Sequence, residues 1–133
     1  MVNVVFVCLG NICRSPSAEG VFRKLVRDEG LSDVITTDSS GTSGWHIGEA
    51  PDPRAQEAAS RRGIDISDLR GRKSLARDFH DFDYVLAMDA DNLADLERMA
   101  RARGQVRARV ALFGAYSANY RNAPVPDPYF GGN

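Results

Sequence analysis

Cys8 and Arg14 are the residues whose types and spacing best fit chemistry on a bound anion. Five residues separate them, including a glycine, an asparagine and a second cysteine. The apolar run Val4–Val7 precedes Cys8 and an amphipathic segment follows Ser15-Pro16, so the pattern predicts a strand, a loop and a helix. Such a loop directs backbone N–H groups and the positive end of the helix dipole to one point. The sequence therefore predicts a nucleophilic thiolate at Cys8 beneath an anion-binding loop.

The loop residues each have a property that suits a chain wrapped around a tetrahedral anion such as phosphate. Gly10 permits a close approach or a positive φ, and Asn11 tolerates a left-handed conformation. Arg14 can fork onto two anion oxygens, while Ser15 can cap the helix and donate a hydrogen bond to the Cys8 sulfur. The predicted phosphate-binding residues are Leu9, Gly10, Asn11, Ile12, Cys13, Arg14 and Ser15.

Asp127 is the second candidate for chemistry and lies between two prolines, in Pro126-Asp127-Pro128. A thiolate that attacks a phosphoester releases an alkoxide or a phenolate, and this leaving oxygen needs a proton. A carboxyl that faces an apolar rim and a dianion favours its protonated form, and flanking prolines fix its direction. We therefore expect Asp127 to act as the general acid; the alternative is that this segment is only a turn.

The elements predicted from periodicity alternate between strand and helix, which indicates an α/β fold. The expected strands are Val2–Val7, Val34–Thr37, Phe82–Met88 and Val110–Phe113; the expected helices are Ser17–Asp28, one from Pro53 to Gly63, and Asp91–Arg103. This order predicts three layers, with a four-stranded parallel sheet, helices on both faces and the phosphate loop after the first strand. Ligands of such sheets bind beyond the carboxyl ends of the strands, where Cys8 lies.

The composition predicts one soluble domain over residues 1–133 and excludes several classes of partner. The 17 basic and 18 acidic residues nearly cancel, so we expect no nucleic-acid binding, and no segment resembles a signal peptide or a membrane span. Two cysteines five positions apart form no disulfide framework, which favours a cytoplasmic location. They also have no second Cys or His pair at ligand spacing, so we expect no metal site.

The sequence resembles the low molecular weight protein tyrosine phosphatases over essentially its whole length. The segments that carry the resemblance are the Cys8–Arg14 loop, Ser43-Gly44-Trp45-His46, Asp52-Pro53-Arg54, Met88-Asp89 with Asn92, and Asp127-Pro128-Tyr129. The resemblance implies that Cys8 attacks phosphorus in line and that Arg14 and the loop amides stabilise the transition state. It also implies that Asp127 protonates the leaving oxygen and then activates water, with no cofactor.

The same resemblance implies roles for residues around the loop. Asn11, Ser15 and Ser39 are expected to support it. Trp45 and Tyr129, with Ile12, are expected to wall an aryl pocket. Cys13 is expected to trap an oxidised Cys8 as a reversible disulfide. The implied partners are phosphotyrosine proteins and a tyrosine kinase, and the chain is expected to be monomeric or weakly self-associating.

Three other interpretations fit part of the pattern. An arsenate reductase of this fold would pass a disulfide to further cysteines near the third strand, and residues 80–90 contain none. A protein-arginine phosphatase typically has threonine where this chain has Ile12. A non-catalytic phosphate-binding module would more plausibly have lost Cys8, Arg14 or Asp127.

Family members usually continue with a final helix after the Asp-Pro-Tyr segment, whereas this sequence ends at Gly131-Gly132-Asn133. We therefore expect the domain over residues 1–133 to lack that helix; the alternative is that the given sequence stops before it.

Overall fold

The computed structural model describes residues 1–104 and 106–116, in which strands and helices alternate along the chain. The strands are β1 (Val2–Cys8), β2 (Ile35–Gly41), β3 (Tyr84–Ala87) and β4 (Arg109–Leu112). The helices are α1 (Arg14–Asp28), α2 (Pro53–Ser60), α3 (Asp78–Asp81) and α4 (Ala90–Arg103), and a 3-10 turn covers Phe113–Tyr116. The strands form one parallel sheet in the order β2-β1-β3-β4. The predicted α/β fold is therefore confirmed.

β1 lies at the centre of the sheet and is buried on both faces. Val5 packs in one cluster with Leu96 of α4, whereas Phe6 and Cys8 belong to a cluster on the opposite face. There Phe6 meets Phe22 of α1 edge-on, with ring centroids 5.6 Å apart. A strand covered by helices on both faces needs apolar residues at successive positions, which explains the unbroken apolar run before Cys8.

β2 is longer than the sequence predicted. The prediction ended the strand at Thr37, because small and polar residues follow, yet the strand continues to Gly41. Its pairing with β1 runs without interruption from Val2 opposite Ile35 to Cys8 opposite Gly41. Parallel pairing with an apolar central strand therefore outweighs the weak strand preference of the polar residues.

Two local predictions about helices also need correction. α1 begins at Arg14 with Cys13 at its N-cap position and no side-chain cap, so Ser15 lies inside the first turn and does not cap it. The short helix α3 was not predicted. It follows a turn in which the buried Asp78 carboxylate accepts a hydrogen bond from the Leu75 N–H at 2.9 Å.

No helix in residues 1–104 and 106–116 combines the length and the apolar character that crossing a membrane requires.

Glu19 is a buried acidic side chain between α1 and β2. Its Oε2 accepts a hydrogen bond from the Thr37 hydroxyl at 3.3 Å, and the Ser39 hydroxyl bonds to the same carboxyl. Burial raises the pKa of Glu19 above its ordinary value, because the two hydroxyls replace only part of the lost hydration, and the neighbouring Asp38 adds to the rise. The stability linked to this carboxyl is present below its unfolded pKa and is lost as the pH rises through the raised folded value.

Replacing Glu19 by glutamine should stabilise the fold at pH 7, because the amide can still bond to both hydroxyls without burying a charge. We expect Glu19→Gln to melt at a higher temperature than wild type at pH 7. The difference should shrink as the pH falls towards the ordinary glutamate pKa of 4.5. Glu29→Gln, at an exposed position, is the charge-matched control. Equal shifts in the melting temperatures of the two variants would contradict this prediction.

Candidate active site

The Cys8 sulfur lies at the carboxyl end of β1 and is surrounded by hydrogen-bond donors. It is buried, 3.0 Å from the Ser15 hydroxyl, and it accepts a hydrogen bond from the Asn11 N–H at 3.2 Å. The Ser15 oxygen itself accepts a bond from Asn11 Nδ2 at 2.8 Å. The hydroxyl proton is therefore directed to the Cys8 sulfur or to the Ser40 carbonyl, which is farther away at 3.4 Å. This arrangement stabilises a thiolate.

Asn11 holds the loop in its curled shape. Its φ is 58°, the left-handed region that the sequence predicted it would tolerate. The side chain is buried, and besides its bond to Ser15 it accepts a hydrogen bond from the Arg72 N–H at 2.9 Å. Asn11 therefore joins the nucleophile, the start of α1 and a segment more than 60 residues away.

Arg14 is held by a carboxylate that follows the neighbouring strand, β3. Its Nη1 donates to Asp89 Oδ2 at 2.7 Å, and the arginine side chain is only 8% exposed. Asp89 follows β3 and caps α4, because its Oδ1 accepts a hydrogen bond from the Asn92 N–H at 2.7 Å. The guanidinium is thereby fixed beside the loop, where it can bind the oxygens of an anion.

Contacts of Arg72 and Gly41 support the loop from the β2 side. The Arg72 guanidinium bonds to Asp38 at 3.0 Å and to the buried Asp78 at 3.1 Å. Its carbonyl accepts a hydrogen bond from the Gly41 N–H at 2.8 Å, which places it next to the end of β2. A Cβ on Gly41 would lie 2.7 Å from the Leu9 carbonyl oxygen, so only glycine lets the loop approach this closely.

Ser39 is predicted to support the loop, and that role stays a prediction. Its buried hydroxyl bonds to Glu19 of α1. The next residue of β2, Ser40, also meets the loop, because its carbonyl lies 3.4 Å from the Ser15 hydroxyl. The Ser40 hydroxyl in turn bonds to the Ser74 hydroxyl at 2.8 Å. Neighbouring side chains on a strand point to opposite faces, so the hydroxyls of Ser39 and Ser40 have different partners.

Trp45 lies in a loop that the chain holds beside the phosphate loop. Its side chain is 72% exposed, so it does not plug an edge of the fold. The base of the loop is fixed by the bonds Gly48 N–H to Gly71 O and Gly71 N–H to Glu49 O, each 2.8 Å. The ring of His46 lies against Gly10. The indole is therefore available to contact a ligand.

Some of the remaining predicted site residues lie in the part of the chain that the structure describes, and others lie outside it. Ile12 is half-buried, and its carbonyl accepts a hydrogen bond from the Asp52 N–H at 2.6 Å. Cys13 is not joined to Cys8 by a disulfide. Asp127 and Tyr129 lie outside the described residues. Within the part of the chain that the structure describes, no group of three or more His, Cys, Asp or Glu side chains could hold a metal ion.

The sequence predicted no role for Asp89, Asn92, Ser74 or Arg72. One signal could have revealed Asp89. It follows the third apolar strand directly, and the carboxyl ends of neighbouring parallel strands share one edge of the sheet. A carboxylate at that point is well placed to meet an arginine after β1.

Comparison with known proteins identifies this arrangement. Residues 3–133 match the family model for low molecular weight phosphotyrosine protein phosphatases. The chain belongs to that family. It is 44% identical over 133 residues to the low molecular weight protein-tyrosine-phosphatase YfkJ of Bacillus subtilis, covering 100% of this chain and 84% of that protein. It is 46% identical over 129 residues to the Sus scrofa low molecular weight phosphotyrosine protein phosphatase, covering 97% and 80%.

Solved structures agree with this family assignment. The crystal structure of YfkJ has a TM-score of 0.89 at 43% identity, covering all of this chain and 82% of that one. A Drosophila arginine phosphatase also has a TM-score of 0.89, at 37% identity, covering 98% and 82%. The prediction of a cysteine-dependent phosphatase of the low molecular weight type is therefore confirmed.

Removing the Ser15 hydroxyl should lower the phosphatase activity, because the Cys8 sulfur loses a hydrogen-bond partner and the Asn11 amide loses its acceptor. Since a hydrogen bond to a charged group is worth about 1.5–3 kcal/mol, we expect kcat/KM of Ser15→Ala for p-nitrophenyl phosphate to fall about tenfold or more. Ser17→Ala, two positions along α1, is the matched control, and an unchanged kcat/KM in Ser15→Ala would contradict the prediction.

Proposed function

We propose that this protein hydrolyses phosphotyrosine in proteins through a cysteinyl-phosphate intermediate. The observation that carries the proposal is the Cys8 sulfur, which has two hydrogen-bond partners at the base of a loop whose arginine is held by Asp89. A sulfur in this position can attack a phosphorus bound in the loop, and the family membership supports the same chemistry.

In the first step, the Cys8 thiolate attacks phosphorus opposite the tyrosyl oxygen. The S–P bond forms as the P–O bond to the phenol breaks, and the Asp127 carboxyl gives its proton to the leaving oxygen. Arg14 and the loop amides bind the equatorial oxygens, where charge is spread in the transition state. The products of this step are a tyrosine side chain and phosphate linked to Cys8.

In the second step, water releases the phosphate. The Asp127 carboxylate takes a proton from a water molecule as that oxygen attacks phosphorus, and the S–P bond breaks. Inorganic phosphate leaves, Cys8 returns as a thiolate and Asp127 is protonated again. The role of Asp127 rests on its position between two prolines and on the family resemblance.

The aryl preference of the proposed reaction rests on the residues at the mouth of the loop. Trp45 presents an exposed indole beside it, and Ile12 adds a half-buried apolar side chain. A flat indole and an apolar aliphatic side chain both pack well against a phenyl ring. Tyr129 is the third proposed wall of this pocket.

The predictions about substrate, partner, location, domain content and oligomeric state stay proposals. Tyrosine-phosphorylated proteins are the proposed substrates, with a tyrosine kinase as a proposed partner in the cytoplasm. We also propose that residues 1–133 form one domain and that the chain is monomeric or weakly self-associating. Oxidation of Cys8 by a peroxide to a sulfenic acid, followed by condensation with the Cys13 thiol and loss of water, would give a reversible disulfide.

Substitutions of the nucleophile and the general acid test the reaction. Cys8→Ser should abolish hydrolysis of p-nitrophenyl phosphate, and Asp127→Ala should lower kcat by roughly 10²- to 10⁴-fold. The Asp127→Ala defect in kcat/KM, which excludes the second step that both esters share, should be larger with phenyl phosphate, because phenolate is the poorer leaving group and depends more on the acid.

Asp33→Ala, at an exposed position, is the control for loss of a carboxylate. Steady-state kinetics without added metal, with and without orthovanadate, provide the measurement. Turnover by Cys8→Ser, or an Asp127→Ala defect in kcat/KM that is equal for both esters, would contradict the proposed roles.

Phosphoarginine is the second candidate substrate, because the structure also resembles an arginine phosphatase closely. Ile12 favours phosphotyrosine, since an apolar side chain suits a phenyl ring better than a guanidinium. We expect kcat/KM for a phosphotyrosine peptide to exceed that for phosphoarginine by about tenfold or more, and Ile12→Thr to narrow the ratio. A wild-type protein that prefers phosphoarginine would overturn this choice of substrate.

A further inference from the structure

Asn92 lies in the first turn of α4 with its side chain facing the active site. The residue is 2% exposed, and its amide meets Asp89 on one side and the phosphate loop on the other. With the nitrogen towards Asp89, Nδ2 donates to Asp89 Oδ1 at 3.0 Å and Oδ1 accepts from the Leu9 N–H at 3.3 Å. In the reverse orientation, the amide oxygen would face the Asp89 carboxylate and the amide nitrogen would face the Leu9 N–H. Hydrogen bonding therefore selects the orientation with Nδ2 towards Asp89.

These contacts connect the two parts of the site that would hold a phosphoryl group. Leu9 is the first residue after the nucleophile. Asp89 binds Arg14 through Oδ2 at 2.7 Å, while its Oδ1 receives both the backbone and the side-chain N–H groups of Asn92. One buried amide therefore fixes the start of the loop and the carboxylate that orients the arginine.

We infer that Asn92 is a positioning residue that sets the phosphate loop and Arg14 at the separation the transition state requires. The inference rests on the proposed phosphatase function. Loop amides and guanidinium must reach the same equatorial oxygens, and small errors in such geometry lower rates strongly. Asparagine suits this position because it offers one donor and one acceptor without charge.

Asn92→Ala tests this role, since it removes both side-chain bonds. Because bonds to charged groups are among the stronger ones, we expect kcat/KM for p-nitrophenyl phosphate to fall about 10- to 100-fold. The affinity for inorganic phosphate, measured by calorimetry, should fall by a similar factor. The phosphate measurement does not depend on turnover, so it tests the positioning role even if the proposed phosphatase reaction fails.

Leu96→Ala is the matched structural control. Leu96 is equally buried on α4, one turn further along, and packs in the core with Val5. We expect this variant to melt at least as far below wild type as Asn92→Ala, with kcat/KM within about twofold of wild type. An Asn92→Ala variant that keeps both kcat/KM and phosphate affinity, or a Leu96→Ala variant that loses them equally, would overturn the inference.

Asn92→Asp supplies a readout that simple destabilisation would not move. An ionised carboxylate at position 92 can accept from Leu9 but repels Asp89, and it adds a second negative charge near Arg14. Its protonated form again offers one donor and one acceptor. The ratio of kcat/KM for Asn92→Asp to that for wild type should therefore rise as the pH falls from 7 to about 5. A ratio that does not change with pH would count against positioning by this amide.

Discussion

The conformation of Asn11 is the constraint on which the rest of the site depends. A left-handed backbone at this residue turns the loop back on itself, so that its own N–H reaches the Cys8 sulfur at 3.2 Å. A non-glycine residue held there is strained unless its surroundings compensate, and here the side-chain amide uses both ends, on Ser15 and on Arg72. The loop is therefore not shaped by its own sequence alone, because it keeps its curl only while distant segments hold that amide.

Two supports reach the loop from opposite sides of the central strand. On the β2 side, the segment around Arg72 is fixed by its ion pairs with Asp38 and Asp78 and by backbone pairing with Gly41. On the β3 side, the start of α4 holds Arg14 through Asp89. In a parallel sheet both supports arrive at the carboxyl edge, where the nucleophile also lies. Because the phosphate loop is already held in shape, the energy of binding a phosphoryl group can stabilise the transition state and is not used to order the loop.

The sequence predicted what neighbouring residues determine and missed what distant ones determine. The loop from Cys8 to Ser15, its strand and its helix follow from local spacing and from one apolar run. The partners of that loop do not, because Asp89 lies 75 positions from Arg14 and Arg72 lies 61 from Asn11. The sequence missed α3 for a different reason, because its four residues are too few to show helical periodicity.

At the end of β2, the close approach of the phosphate loop requires small residues, although such residues have a weak preference for strands. The loop lies so close to this strand that a Cβ at Gly41 would meet the Leu9 carbonyl, and Ser40 contributes its backbone carbonyl beside Ser15. Large β-branched residues would strengthen the strand and displace the loop. Small polar residues therefore stand where strand formers are expected, and pairing with the apolar β1 keeps them in the sheet. That conflict explains why the sequence predicted an end of the strand at Thr37, and it ties the shape of the phosphate loop to the composition of its neighbour.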